Sequence, residues 1–130
     1  MEFWSTVDFL FVYILEAHAA DEWPLGVERS RFAQHKTMED RLAAAAHFRS
    51  NRMGSDMQQA SPELALAAQV PFACDTMTNP FNRAFGAWPE TYIVVGGDGE
   101  LVLRTEAEVG SGTLKGGTWD QLVRQTLLRL

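Results

Sequence analysis

A carboxylate and an imidazole stand two residues apart in Glu16-Ala17-His18, where the apolar run Phe9 to Leu15 ends. Residues two apart in an extended strand point to the same face, so a strand over Val7–Leu15 would project both side chains at its carboxyl end. Open α/β sheets build their sites there. A carboxylate beside an imidazole fixes the ring's tautomer, raises its basicity and lets the pair pass a proton. The residues alone leave a second reading open, a solvated turn, because polar residues on loops are ordinary. Glu16, His18 and His35 also make a possible donor set of two imidazoles and one carboxylate. A metal is not expected, since no His-Glu-x-x-His accompanies them. Cys74, the only cysteine, reads as a small buried hydrophobe and excludes an intrachain disulfide. His47 reads as a surface residue.

The elements that must position these groups follow from pattern. Phe9 to Leu15 is apolar on both alternating faces, which predicts a central strand covered on each side. Thr37-Met38-Glu39-Asp40 has the form of a capping box and opens an alanine-rich helix to about Ser50, with Met38, Leu42, Ala45 and Ala46 as its stripe. Asn51 to Ala60 reads as loop, Ser61-Pro62-Glu63 as the start of a short helix, and Val70 to Cys74 as a short strand. Asn79-Pro80 reads as cap plus proline for a brief helix ending near Gly86. Gly96-Gly97-Asp98-Gly99 between Thr91–Val95 and Glu100–Thr105 predicts a hairpin. A glycine-rich loop, Gly110 to Gly117, precedes a second capping box, Thr118 to Gln121, and a closing helix that buries Trp119, Leu122, Val123 and Leu127. This order predicts an α/β fold, a mixed sheet with helices on both faces, in one domain over residues 1–130.

A net charge of −6 over 130 residues argues against nucleic acid or an anionic membrane as partner, since both are held through basic patches. No apolar run approaches the roughly 20 residues of a spanning helix, and Met1 opens no signal peptide. A soluble, cytoplasmic protein is the expectation, with an anchor conceivable only in a segment ahead of Met1.

Pro89, lacking a donor, belongs at the start of the Thr91 strand. The stretch "FGAWPETYIVVGGDGELVLRTE" is similar to the second half of thioredoxin-fold proteins, which implies a cis Trp88–Pro89 bond facing a redox centre. "VDFLFVYILEAHAADEWPL" resembles the iodothyronine deiodinases, a thioredoxin-fold selenoprotein family, in its Tyr, Glu-Ala-His and Asp-x-Trp. "QHKTMEDRLAAA" and "DTMTNPFNRAFGAWPETYIV" match two further segments of that family in the same order. The resemblance implies reductive removal of iodine from a small iodinated aromatic substrate, with no bound cofactor and a thiol reductant as electron donor. It implies that Glu16 and His18 form the proton relay, that His35 contacts the phenolic hydroxyl, and that Tyr13 and Pro89 line the pocket.

The resemblance also implies a βα unit, carrying the selenocysteine, ahead of the Glu-Ala-His strand. Met1 to Thr6 matches only the tail of that helix, so the nucleophile is expected upstream, encoded by an in-frame TGA that a gene caller would read as stop. Without that unit, an exposed apolar patch and a homodimer are expected. A second departure is the absence of an arginine from Glu106 to Gly117, where the family has one for its substrate's carboxylate; the nearest is Arg104. A peroxiredoxin-like thiol or selenol enzyme and a non-catalytic thioredoxin-like interaction module are the alternatives.

Overall fold

The computed structural model describes residues 3, 5–27, 30–53, 69–105, 113–114 and 117–130. The chain divides into two compact units, Met1–Asn82 and Arg83–Leu130. Helices and short strands are mixed along the chain, as in an α/β protein. Among the described residues, however, the strands pair as three two-stranded sheets and not as the one mixed sheet expected, each strand finding a partner on one side only.

In the first unit, β1 (Phe11–Tyr13) pairs in parallel with β2 (Phe72–Cys74), Tyr13 standing opposite Cys74. The ladder continues one bond either way, from Phe11 N–H to the Pro71 carbonyl at 2.9 Å and from Asp75 N–H to the Tyr13 carbonyl at 2.8 Å. The parallel pairing is the one expected, but the strand is shorter than the apolar run. Leu10 is 62% exposed, and pairing stops at Tyr13 because β2 offers a partner for only three residues. Hydrophobic run length therefore overstated the strand, and the expectation of an interior strand from Phe9 to Leu15 is corrected.

Helix α1 (Met38–Met53) packs against this pair. Its start is the expected capping box: Thr37 Oγ1 accepts from Asp40 N–H at 3.1 Å, and the Asp40 carboxylate accepts from Thr37 N–H at 2.9 Å and Lys36 N–H at 3.2 Å. The helix runs on to Met53 rather than ending at Ser50. Its buried stripe is also rotated from the expected one. Arg41, Ala44 and Ala45 are buried, whereas Leu42 is 51% exposed and Ala46 is exposed. The cause is Arg41, whose guanidinium finds acceptors inside and so turns the helix toward itself.

Tyr13, Ala44 and Ala45 form the core, with Phe11, Phe32, Phe48, Phe72 and Cys74 against them. Phe11 stacks on Phe72 at 5.0 Å and on Phe48 at 5.3 Å between ring centroids, and Arg49 lies 5.6 Å over the Phe72 ring. Each such aromatic pair adds about 0.5–1.5 kcal/mol beyond its burial. The two small alanines let these rings approach the helix axis.

Helix α2 (Pro80–Phe85) follows the second strand. Asn79 was the expected cap, but its φ is +51° and its side chain accepts from Arg41 instead. Asp75 is the cap, its carboxylate accepting from Phe81 N–H at 3.2 Å and Asn82 N–H at 3.0 Å. A left-handed residue cannot hold the extended backbone that an N-cap needs, so the capping falls to Asp75, four residues before it.

In the second unit, β3 (Ile93–Val95) pairs antiparallel with β4 (Leu101–Arg104) around the expected glycine turn. Gly96 N–H donates to Glu100 O, Gly99 N–H donates to Gly96 O, both at 2.9 Å, and Gly99 takes a φ of +85°. A register shift at Val94/Val95 accommodates the longer loop. Trp88–Pro89 is cis, as expected, and Pro89 is half-buried. The strands β5 (Thr113–Leu114) and β6 (Gly117–Thr118) pair within what was read as loop, and α3 (Trp119–Leu127) closes the chain with Leu122, Val123 and Leu127 half-buried. The expected Ser61-Pro62 helix, most of the Asn51–Ala60 loop and the side chain of Trp119 lie outside the described residues.

Candidate functional site

The site begins where β1 stops. Tyr13, 8% exposed, is the last strand residue, and its hydroxyl donates to the Glu16 carboxylate three residues on. Glu16 and His18 lie beyond the strand, so the two-residue alternation that would have aligned them no longer applies. The Glu16 carboxylate bonds Tyr13, not His18. The expected Glu16–His18 hydrogen bond is thus replaced by a Tyr13–Glu16 one.

His18 turns to the following loop. Its Nδ1 lies 3.3 Å from the Trp23 carbonyl oxygen, and its ring sits 4.8 Å from the Trp23 ring at a tilt of 56°. A carbonyl oxygen only accepts, so Nδ1 carries a hydrogen in this contact. His18 is half-buried.

His35 comes back to Tyr13 from the far end of that loop, with ring centroids 6.0 Å apart. It is 7% exposed, and neither ring nitrogen has a hydrogen-bond partner among the described residues. Tyr13, Glu16 and His35 therefore gather in the first unit with His18 one turn of loop away. Pro89 belongs to the second unit.

Two residues to which the motifs lent no role hold this arrangement. The Gln34 side chain bonds both main-chain groups of Glu16, its Oε1 accepting from the N–H at 3.3 Å and its Nε2 donating to the carbonyl at 3.0 Å. The same Nε2 donates to Glu22 at 3.2 Å, and Gln34 N–H donates to Asp21 at 2.7 Å. Arg41, 2% exposed, sends Nη1 to the carbonyls of Asp75 (3.2 Å) and Thr76 (2.7 Å) and to Asn79 Oδ1 (2.8 Å). The only sequence signal for either was a place inside a motif; the partners of Gln34 lie 12 to 18 residues away and those of Arg41 34 to 38.

Burial sets the electrostatics. It raises Tyr13 well above the ordinary phenol, and the hydrogen bond to Glu16 and that group's charge push the same way. Tyr13 is accordingly a neutral donor at every physiological pH. Burial also lowers His35 below the ordinary imidazole; the charges of Glu16 and Asp40 oppose this and that of Arg41 adds to it. His35 is thus an uncharged ring at neutral pH, able to accept or donate one hydrogen bond. Burial raises the Cys74 thiol as well. Among the described residues no three His, Cys, Asp or Glu side chains are grouped to hold a metal ion.

The second unit places Arg104 firmly. Its Nε donates to the Phe85 carbonyl and its Nη2 approaches the Gly86 carbonyl at 3.4 Å.

Buried Tyr13 bonds the half-buried Glu16 carboxylate beside an imidazole whose ring nitrogens have no partner among the described residues. The model of the iodothyronine deiodinase family matches residues 1–105, and the chain belongs to that family. It is 39% identical to thyroxine 5-deiodinase of Ovis aries over 89 residues, 68% of this chain and 25% of that protein. It is 36% identical to type I iodothyronine deiodinase of Xenopus laevis over 94 residues, 72% of this chain and 31% of that one. The human thyroxine 5-deiodinase is 36% identical over 89 residues, 68% of this chain and 24% of that protein. The chain thus spans about a quarter to a third of the length of these relatives.

Proposed function

We propose that this chain is the proton-supplying and ring-binding part of a deiodinase with a thioredoxin-like body, acting on an iodinated phenolic substrate. The observation that carries the reading is His35, buried to 7% exposure, with both ring nitrogens unpartnered among the described residues, beside the Tyr13–Glu16 pair. Buried polar atoms are nearly always satisfied, so an imidazole left open in this way fits a ligand that brings its own hydroxyl. Family membership names the ligand class.

In the reaction, a selenolate or thiolate from a segment ahead of Met1 takes the iodine. The carbon–iodine bond breaks with its electron pair left on the ring carbon, which then takes a proton. A thiol reductant restores the nucleophile and releases iodide, so the substrate gains two electrons and one proton and the thiols become a disulfide. In this reading His35 holds the phenolic hydroxyl, and Glu16, bonded to Tyr13, handles the proton that the ring receives. His18 with Trp23 forms the aromatic wall of the approach. A protein in the cytoplasm, working as a homodimer, completes the reading.

The test is iodide release from an iodothyronine, with dithiothreitol as reductant, by protein made with its upstream coding segment and nucleophile. The expected result is turnover by the parent and a loss of about 100-fold or more in His35→Asn, on the scale of a lost acid–base group. A folded parent, nucleophile intact, that releases no iodide would sink the reading.

A further inference from the structure

We propose that Gln34 is the positioning residue of this site: by bonding both main-chain groups of Glu16 it holds the Glu16 carboxylate on the hydroxyl of Tyr13. The functional part of this inference rests on the deiodinase reading above; its geometric part does not.

Glu16 needs such a holder. Pairing of β1 ends at Tyr13, so among the described residues no strand partner fixes the backbone at Glu16. A carboxylate on an unpaired segment has several staggered rotamers available to it, and only some reach Tyr13. Gln34 supplies what a neighbouring strand would have given. Its amide donates to the Glu16 carbonyl at 3.0 Å and accepts from the Glu16 N–H at 3.3 Å, the two-bond exchange of an antiparallel ladder made by a side chain.

The amide can sit only one way round. With Nε2 shared between the Glu16 carbonyl and the Glu22 carboxylate at 3.2 Å, a flipped amide would set its oxygen against two acceptors. Gln34 is itself anchored, its N–H donating to Asp21 at 2.7 Å. The next residue is His35, so the chain that fixes Glu16 also delivers the unpartnered imidazole. Both of Gln34's amide hydrogens and its oxygen are committed, and no shorter or apolar side chain reproduces all three bonds.

The experiment reads Tyr13 directly. The chain has two tyrosines, Tyr13 and Tyr92, so tyrosine labelled at the ring carbon bearing oxygen gives two carbon resonances, assigned with Tyr92→Phe. That resonance responds to what the hydroxyl donates to. Gln34→Met and Gln34→Asn, each keeping the parent's circular dichroism, should move the Tyr13 signal toward its position in Glu16→Ala. In protein carrying its nucleophile, the same variants should lose about 10-fold to 100-fold in kcat at unchanged KM, the cost of misplacing a catalytic group by about an ångström. A Tyr13 signal that stays at the parent position in either folded variant overturns the proposal. So does loss of fold in both, because the role assigned to Gln34 is the placing of one side chain and not the integrity of the domain. If the parent itself turns over no iodothyronine while the Tyr13 signal moves as stated, the positioning stands and the deiodinase reading falls.

Discussion

The hydroxyl of Tyr13 and the carboxylate of Glu16 are joined by a hydrogen bond across three residues of chain, just past the point where strand pairing stops. One partner is rigid and buried; the other is carried by a loop. Tyr13→Phe removes the donor and leaves a half-buried carboxylate without it. A loss of about 1.5–3 kcal/mol in urea unfolding is expected, the range for a hydrogen bond to a charged group. An unchanged midpoint would mean that water replaces the phenol at no cost.

Arg41 should prove the costlier single change. Its Nη1 serves three acceptors from the Asp75–Asn79 segment, of which the Asp75 carbonyl lies in a buried residue, and Met in its place would keep the packing of the stem while removing the donor from all three. Arg41→Met is expected to lower stability by about 3 kcal/mol. Because Asp75 caps α2, amide exchange at Phe81 and Asn82 should quicken in the same variant, which hydrogen-exchange mass spectrometry can read.

Stability should fall on mild acidification, through His35. Burial holds its folded pKa below the ordinary 6.5, so as pH drops through about 6.5 the unfolded chain takes up a proton that the folded chain refuses. Stability is therefore lost from that pH downward until the folded ring itself titrates. Urea midpoints at pH 7.5 and 5.0 should differ less in His35→Asn than in the parent; equal differences would show that His35 is not the group responsible.

Gly86 is fixed by its conformation and its neighbour. Its φ is +57°, and a Cβ there would stand 2.7 Å from Arg104 Nη2, whose guanidinium is held by the Phe85 carbonyl. Gly86→Ala is expected to cost about 1–2 kcal/mol, the penalty of the left-handed region for a residue with a Cβ. The melting temperature of the second unit's hairpin, followed by the Trp88 signal, would report it.

The parts of this molecule legible in the sequence are those whose partners are close in the chain. Thr37 and Asp40 are three residues apart, and the Gly96–Gly99 turn is four residues long; both fold as their residues predict. Glu16, His18, His35 and Tyr13 were visible as chemistry, but their pairing was not. The alternation that joined Glu16 to His18 assumed a strand that ends at Tyr13. Gln34 and Arg41 were hidden for a related reason: a polar side chain looks solvated in sequence, and only closure of an 18-residue or 34-residue stretch reveals its acceptors. Asn79 misled because an Asn before Pro signals a cap, a pattern that carries no record of a guanidinium arriving from another helix.

Cys74 stands opposite Tyr13 in the parallel register, half-buried, with its thiol pushed up by burial. Thiols attack as thiolates, so at neutral pH this one is slow toward electrophiles and slow to exchange with disulfides. A selenolate or thiolate doing the chemistry proposed above would therefore find in Cys74 a slow competitor. Alkylating reagents at neutral pH should distinguish the two by rate, marking the reactive atom while leaving Cys74 intact.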